Sequence, residues 1–272
     1  MLPATSRKYR SWGSGMAEDK RQEQEFSFDS TARDRAYWDR LSALFHERGY
    51  THEDVLRHWP AYILRRDLPR FLSHYELFKK VVDLPGCIVE LGVFRGASFF
   101  TWSVLMETFC PFDRSRKVFG FDSFEGLQDF TEKDGRADSS VHKVVGGYKA
   151  TAAELQTLTD LHNSDNMIPG TKRAQLVIGD IKETLPRFLE EQPGLKISLL
   201  HFDMDLYEPT KYALEMLYPH VLKGGVICFD EYGLIPWQGE TKAVDEYFAS
   251  IGEQPTIHKH SFTQTPHGYL IK

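Results

Sequence analysis

The chain has 272 residues and a formal net charge of −6. That length suits one large α/β domain with additions, and the acidic balance excludes the basic footprint of a nucleic-acid-binding protein. No apolar run approaches the roughly 18 residues of a membrane span, and the polar stretch from Met1 to Gln24 lacks a signal-peptide core. Cys87, Cys110 and Cys228 have no metal-ligand spacing and read as reduced, mostly buried thiols. The expectation is a cytoplasmic protein with no nucleic-acid or membrane partner.

Residues 1–30 are rich in charge, Ser and Gly and predict a disordered tail. Residues 31–82 predict a helical cap or lid, with many aromatics and no strand alternation. Residues 83–272 predict the main domain, opened by a Pro85-Gly86 turn. Strand and helix signals then alternate: strands over 87–91, 117–121, 174–178, 199–202 and 226–230, helices over 96–109, 181–191, 209–221 and 240–250. Repeated β-then-α units imply a mostly parallel sheet with helices on both faces, a Rossmann-like α/β fold. Residues 256–260 and 268–271 suggest a C-terminal antiparallel hairpin. The segment from Gln128 to Pro169 is long, polar and aromatic-poor, and reads as a functional flap.

The chemistry concentrates at strand ends, where open α/β sheets bind ligands. Phe202-Asp203-Met204-Asp205 and Phe229-Asp230-Glu231 each follow a short apolar run. On neighbouring strands about 4.8 Å apart, these carboxylates would not all stay ionised without a cation. That points to a divalent metal, against the bland alternative of helix N-caps. The first strand ends in Glu90-Leu91-Gly92-Val93-Phe94-Arg95-Gly96, where the glycine pair lets a cofactor near the backbone. Its G-x-x-x-G spacing is not the dinucleotide fingerprint, which disfavours a nicotinamide-dependent dehydrogenase. Asp122, at the second strand end, is placed to accept ribose hydroxyls, or else caps a turn. Asp180, at the third, is suited to a base edge. His201 reads as a core histidine. Trp237 and Tyr207 read either as sugar-stacking rings or as packing, and His142 more as a surface residue than as a substrate contact.

Five motifs follow in one order: E-L-G-V-F-R-G (90–96), F-G-F-D-S-F-E-G-L (119–127), F-D-M-D-L-Y-E-P-T (202–210), L-K-G-G-V-I-C-F-D-E-Y-G (222–233) and W-Q-G-E-T-K-A-V-D-E-Y-F (237–248). Together they resemble the macrocin, mycinamicin and noviose O-methyltransferases, nearest to deoxyhexose 3-O-methyltransferases. The resemblance runs from about Tyr75 to the C-terminus. It implies a class I S-adenosylmethionine (SAM) methyltransferase dependent on Mg2+. Glu90, Gly92 and Gly96 would surround the methionine part of SAM, Asp122 would hold the ribose, and Ser123 and Asp180 would lie near the adenine. Asp203, Asp230 and Glu231 match the family's metal ligands and Asp205 its general base. The family usually has Asp where Glu231 stands. The implied substrate is a small-molecule sugar or glycoside, and a homo-oligomer is compatible with the resemblance. The rivals are a metal-dependent methyltransferase of phenols or catechols, and a catalytically inactive SAM-fold binding protein.

Overall fold

The computed structural model describes residues 32–272, so the expected tail lies outside the described residues. The described chain forms two compact units. One holds the residues up to Tyr62 together with Ser139–His142, and the other holds Ile63–Asp138 and Lys143–Lys272. In the first, helices α1 (Ala32–Arg48) and α2 (His52–Arg57) are followed by a 3-10 turn at Trp59–Ala61. Thr51 and Asp54 close a capping box at the start of α2. Phe45 meets Tyr62 and Tyr50 edge-on, with centroids 5.2 and 6.1 Å apart, so these aromatics pack on one another.

The second unit begins with α3 (Leu68–Val81) and continues through β1 (Cys87–Leu91), α4 (Ala97–Phe109), β2 (Val118–Asp122), α5 (Ala152–Ser164) and β3 (Ala174–Ile178). After these come α6 (Ile181–Glu191), β4 (Ile197–Phe202), α7 (Tyr207–Leu217), β5 (Val221–Phe229), α8 (Gln238–Ser250) and β6 (Gly268–Ile271). The expected 31–82 segment is therefore shared between the two units, and α3 belongs with the sheet.

The strand order is β3-β2-β1-β4-β5-β6, with the first five strands parallel and β6 antiparallel to β5. The partner of β6 is thus β5. Of the expected hairpin arm at 256–260, only His258 pairs, in a single bridge to Tyr269. Alternation along the strands splits the core. Val89, Leu91, Phe121, Leu200, Phe202 and Phe229 face α6, α7 and α8. Ile88, Leu199 and Val226 face α3, α4 and α5. The order reverses at β1, between β2 and β4, and that switch point fixes where the crevice opens.

Three expectations need correcting. The Gln128–Pro169 segment, expected as a flap with no helix named in it, contains α5, which buries Leu155 and Thr159. The helix expected over 209–221 ends at Leu217, and the Tyr218-Pro219-His220 stretch tightens into a 3-10 turn. Strand β5 starts at Val221, where Val221 pairs with Ile197 across a register irregularity.

Arg116, buried, fastens the C-terminal end of α3. Its guanidinium donates to the carbonyls of Val81 (3.3 Å), Val82 (3.0 Å) and Leu84. Carbonyls at a helix end need partners, and a cation there also suits the helix dipole. Arg116→Ala is expected to cost about 2 to 4 kcal/mol, because those groups lose their donors. A denaturant titration reads this directly, and a change below about 0.5 kcal/mol, the range of an indifferent surface substitution, would contradict it.

Candidate active site

The backbone ladder continues one step past three neighbouring strands. Gly92 N–H donates to Phe121 O (2.8 Å), Asp203 N–H to Leu91 O (2.8 Å) and Asp230 N–H to Phe202 O (2.9 Å). Gly92, Asp203 and Asp230 therefore stand side by side at the ends of β1, β4 and β5. Gly92 has φ +90°, and a Cβ there would lie 1.8 Å from Asp203 O. Its glycine character is thus required by the close approach of the protein's own backbone.

Past β4 the chain turns back on itself. Asp205 adopts a left-handed φ of +63°, and Leu206 N–H reaches Met204 O at 2.6 Å. The turn answers a question that spacing alone left open. Carboxylate oxygens of Asp203, Asp205 and Glu231 all lie within 4.8 Å of one another, and those of Asp203 and Asp230 lie equally close together with a ring nitrogen of His201. Asp205 is 8% and Glu231 6% exposed, so both are nearly out of reach of bulk water. Burial first, then the charges of the neighbouring acids, push the Asp205 and Glu231 carboxyls well above the usual range. Asp230 is the exception: burial would raise it, but Arg70 and His201 outweigh burial and hold it low.

Four groups that sequence reasoning left out complete this end of the sheet. Arg70, on α3, donates to Asp203 Oδ2 (2.7 Å) and Asp230 Oδ2 (2.8 Å). Glu240, wholly buried on α8, accepts the Glu231 N–H at 2.9 Å. Tyr148, also in left-handed backbone, has its phenol pushed up by burial and by the charge of Asp205. Lys143 is buried and donates to the carbonyls of Asp134 and Pro236. Glu240 lies in the W-Q-G-E motif, so a signal for it existed. Nothing local in the sequence marks Arg70, whose partners are 133 and 160 positions away.

The expected cofactor residues lie at or just past the ends of β1, β2 and β3 and in the turn before α4. Glu90 is fully buried, with Oε2 3.3 Å from His201 Nδ1, while His201 Nε2 lies 3.5 Å from Asp230 Oδ1. Burial opposes protonation of His201, but Asp230 and Glu90 outweigh it and push the imidazole up to about 10. His201 is thus a core histidine that is also an ionic link between two strand ends. Asp122 accepts three amide N–H bonds, from Val93 (2.8 Å) and Phe94 (2.7 Å) on Oδ2 and from Phe124 (2.6 Å) on Oδ1. A carboxylate offers about four lone-pair sites, and these three bonds occupy two on Oδ2 and one on Oδ1. Ser123 Oγ accepts from Glu125 N–H at 3.2 Å, and Asp180 Oδ1 caps α6 through Lys182 N–H at 2.7 Å. Gly96, with φ +84°, is the left-handed residue before α4.

Trp237 is buried against Tyr148 and under the Lys143 ammonium, 5.7 Å from its ring centre. Tyr207 OH donates to Glu246 (2.5 Å) and accepts from Lys133 (2.6 Å), an ion network on the outer side of α7 and α8. His142 lies in the other unit, in left-handed backbone.

The donor set fits a hard divalent cation. The converging atoms are carboxylate oxygens, the type Mg2+ prefers. Glu231 Oε2 is buried without a hydrogen-bond partner.

A mostly parallel sheet with this strand order and an antiparallel edge is the fold of class I SAM-dependent methyltransferases. The chain belongs to the Macrocin-O-methyltransferase (TylF) family, which it matches over residues 18–259. It is therefore an O-methyltransferase. The structure of the calicheamicin methyltransferase CalS11 is similar at 27% identity and a TM-score of 0.80, covering 98% of this chain and 99% of that one. An apo structure of CalS11, described as a TDP-rhamnose 3'-O-methyltransferase, gives 29% identity and a TM-score of 0.72 over 91% of this chain and 97% of that one. The demethyldecarbamoylnovobiocin O-methyltransferase of Streptomyces niveus is 27% identical over 218 residues, covering 76% of this chain and 79% of the relative. Among the described residues no helix is long and apolar enough to cross a membrane.

Proposed function

We propose that this chain methylates a hydroxyl of a deoxysugar, carried on a nucleotide or already attached to a natural product, with SAM as donor and Mg2+ as activator. The observation that carries the reading is the pair of acidic groups that share Asp203 beside the Gly92 turn, one with Asp205 and Glu231 and one with Asp230 and His201. The relatives support the sugar class, since CalS11 is described as acting on TDP-rhamnose.

Asp203, Asp230 and Glu231 would hold the metal, which would stabilise the negative charge that develops on the attacking oxygen. Asp205 takes the hydroxyl proton. It is a carboxylate within reach of the acids that would hold the metal, the position a general base needs. The Gly92–Gly96 turn, Asp122, Ser123, Asp180 and Glu90 form the cofactor side, with Asp122 holding the turn through the Val93 and Phe94 amides and using its remaining lone pair on the ribose. The methyl transfer itself asks the protein only for alignment.

The test is incubation with labelled SAM and two acceptor panels, nucleotide deoxysugars with glycosylated natural products and catechols with phenols. Chelation is expected to abolish turnover on the sugar panel and Mg2+ to restore it. Full activity in chelator, with metal shown absent by elemental analysis, would overturn the metal assignment. Methylation of the catechol panel alone would overturn the sugar assignment.

A further inference from the structure

The guanidinium of Arg70 sits between two acids assigned above to the metal. It also donates to Ser98 Oγ (3.0 Å) and Thr265 Oγ1 (2.8 Å), so β4, β5, α4 and the loop before β6 all contribute to one head group. Its bonds to Asp203 and Asp230 both fall on Oδ2. The other oxygen of Asp230 faces His201. Asp230 therefore has both oxygens engaged by cationic or ring groups of the protein itself.

Two carboxylates side by side, Asp230 buried and Asp203 half-buried, are costly without positive charge nearby. Arg70 supplies that charge from within the chain. A divalent ion bound by the same carboxylates would need lone pairs that the guanidinium N–H groups now use, and would stand next to a like charge. Arg70 is partly open to solvent. Its side chain keeps 28% of its exposure, and its Nε is buried without a partner. With Arg70 in place, Glu231 Oε2 stays buried without a hydrogen-bond partner.

We propose that Arg70 is a resident counter-ion of this site, and that the guanidinium and a divalent ion compete for Asp203 and Asp230. The proposal rests on the metal reading above. It makes α3 a sensor of metal occupancy. By reciprocity, the ion loosens the hold on Arg70 by the same factor by which Arg70 weakens the ion.

Mn2+ is the probe, titrated into the full chain without SAM or acceptor and followed by electron paramagnetic resonance of the free ion. Arg70→Met is expected to bind Mn2+ about tenfold tighter than wild type, within the usual range of coupling between sites. Thermal melts supply a second readout. Without metal, Arg70→Met should melt below wild type, and saturating Mn2+ should narrow the gap, because each cation replaces the other. Equal or weaker Mn2+ binding by Arg70→Met, with a gap that Mn2+ leaves unchanged, would make Arg70 a structural tie and overturn the competition while leaving the metal site intact. If Arg70→Met does not fold, Arg70→Lys is measured in the same way, since one ammonium does not reproduce the planar fork. A smaller gain in the same direction supports the proposal, and no gain overturns it. Absence of Mn2+ binding in wild type and variants alike would remove both the metal reading and the competition.

Discussion

Asp205→Asn is expected to lower kcat roughly 10²–10⁴-fold, the usual worth of a positioned general base. The substitution keeps the shape of the side chain and removes the proton acceptor. SAM and Mg2+ affinities should stay near wild type. The structure makes this the decisive test of its role, because Asp205 lies within 4.8 Å of both Asp203 and Glu231 and is placed to be either base or ligand. A ligand in that position would behave differently: its loss would weaken metal binding, and high Mg2+ would partly rescue the rate. The measurement is kcat at saturating SAM and acceptor over a range of Mg2+ concentrations. A rate near wild type would mean that the proton leaves by another route.

Gly92→Ala is expected to destabilise the protein by at least about 3 kcal/mol, from left-handed strain and from steric overlap together. The added Cβ would sit 1.8 Å from Asp203 O and 2.6 Å from Asp203 C. The obstacle is backbone at the end of a central strand, so no side-chain rotation relieves it. Any accommodation pushes Asp203 away from Asp205 and Glu231. Reduced stability by denaturant titration should therefore accompany lost metal affinity. An alanine variant of unchanged stability would show that the turn yields more easily than the structure implies.

Much of the fold was legible because its signals are local. Buried parallel strands are apolar runs closed by Gly or Asp, and the runs at 87–91 and 174–178 coincide with β1 and β3. The acids past β4 and β5 were legible for the same reason, since the strand-end rule needs only the run and the residue that follows it. Helix α5 carried a signal too. Leu155, Leu158 and His162 recur at helical spacing, but the polar residues between them made the whole segment read as loop. The rest depends on long-range geometry. Arg70 reaches the site only because α3 packs on the sheet, and no spacing within 68–81 reveals that. Asp205 shares a cluster with Asp203 because of one left-handed residue, which an aspartate tolerates but does not announce. The glycine at 92 was read as admitting a cofactor, and the group that approaches it within the chain is Asp203 backbone.

The loop around Lys143 bears on the entropy of acceptor binding. Leu127 and Gly146–Gly147 are stitched by two backbone bonds of 2.8 Å, and the Lys143 ammonium is buried on the carbonyls of Asp134 and Pro236. A long loop that became ordered only around its ligand would give up conformational freedom at that moment and weaken affinity accordingly. Here that loss has already been taken at folding, by contacts that involve no ligand. On the proposed function, an acceptor that binds beside Tyr148 and Trp237 would meet walls fixed in advance, and little of the binding energy would be diverted into ordering the chain.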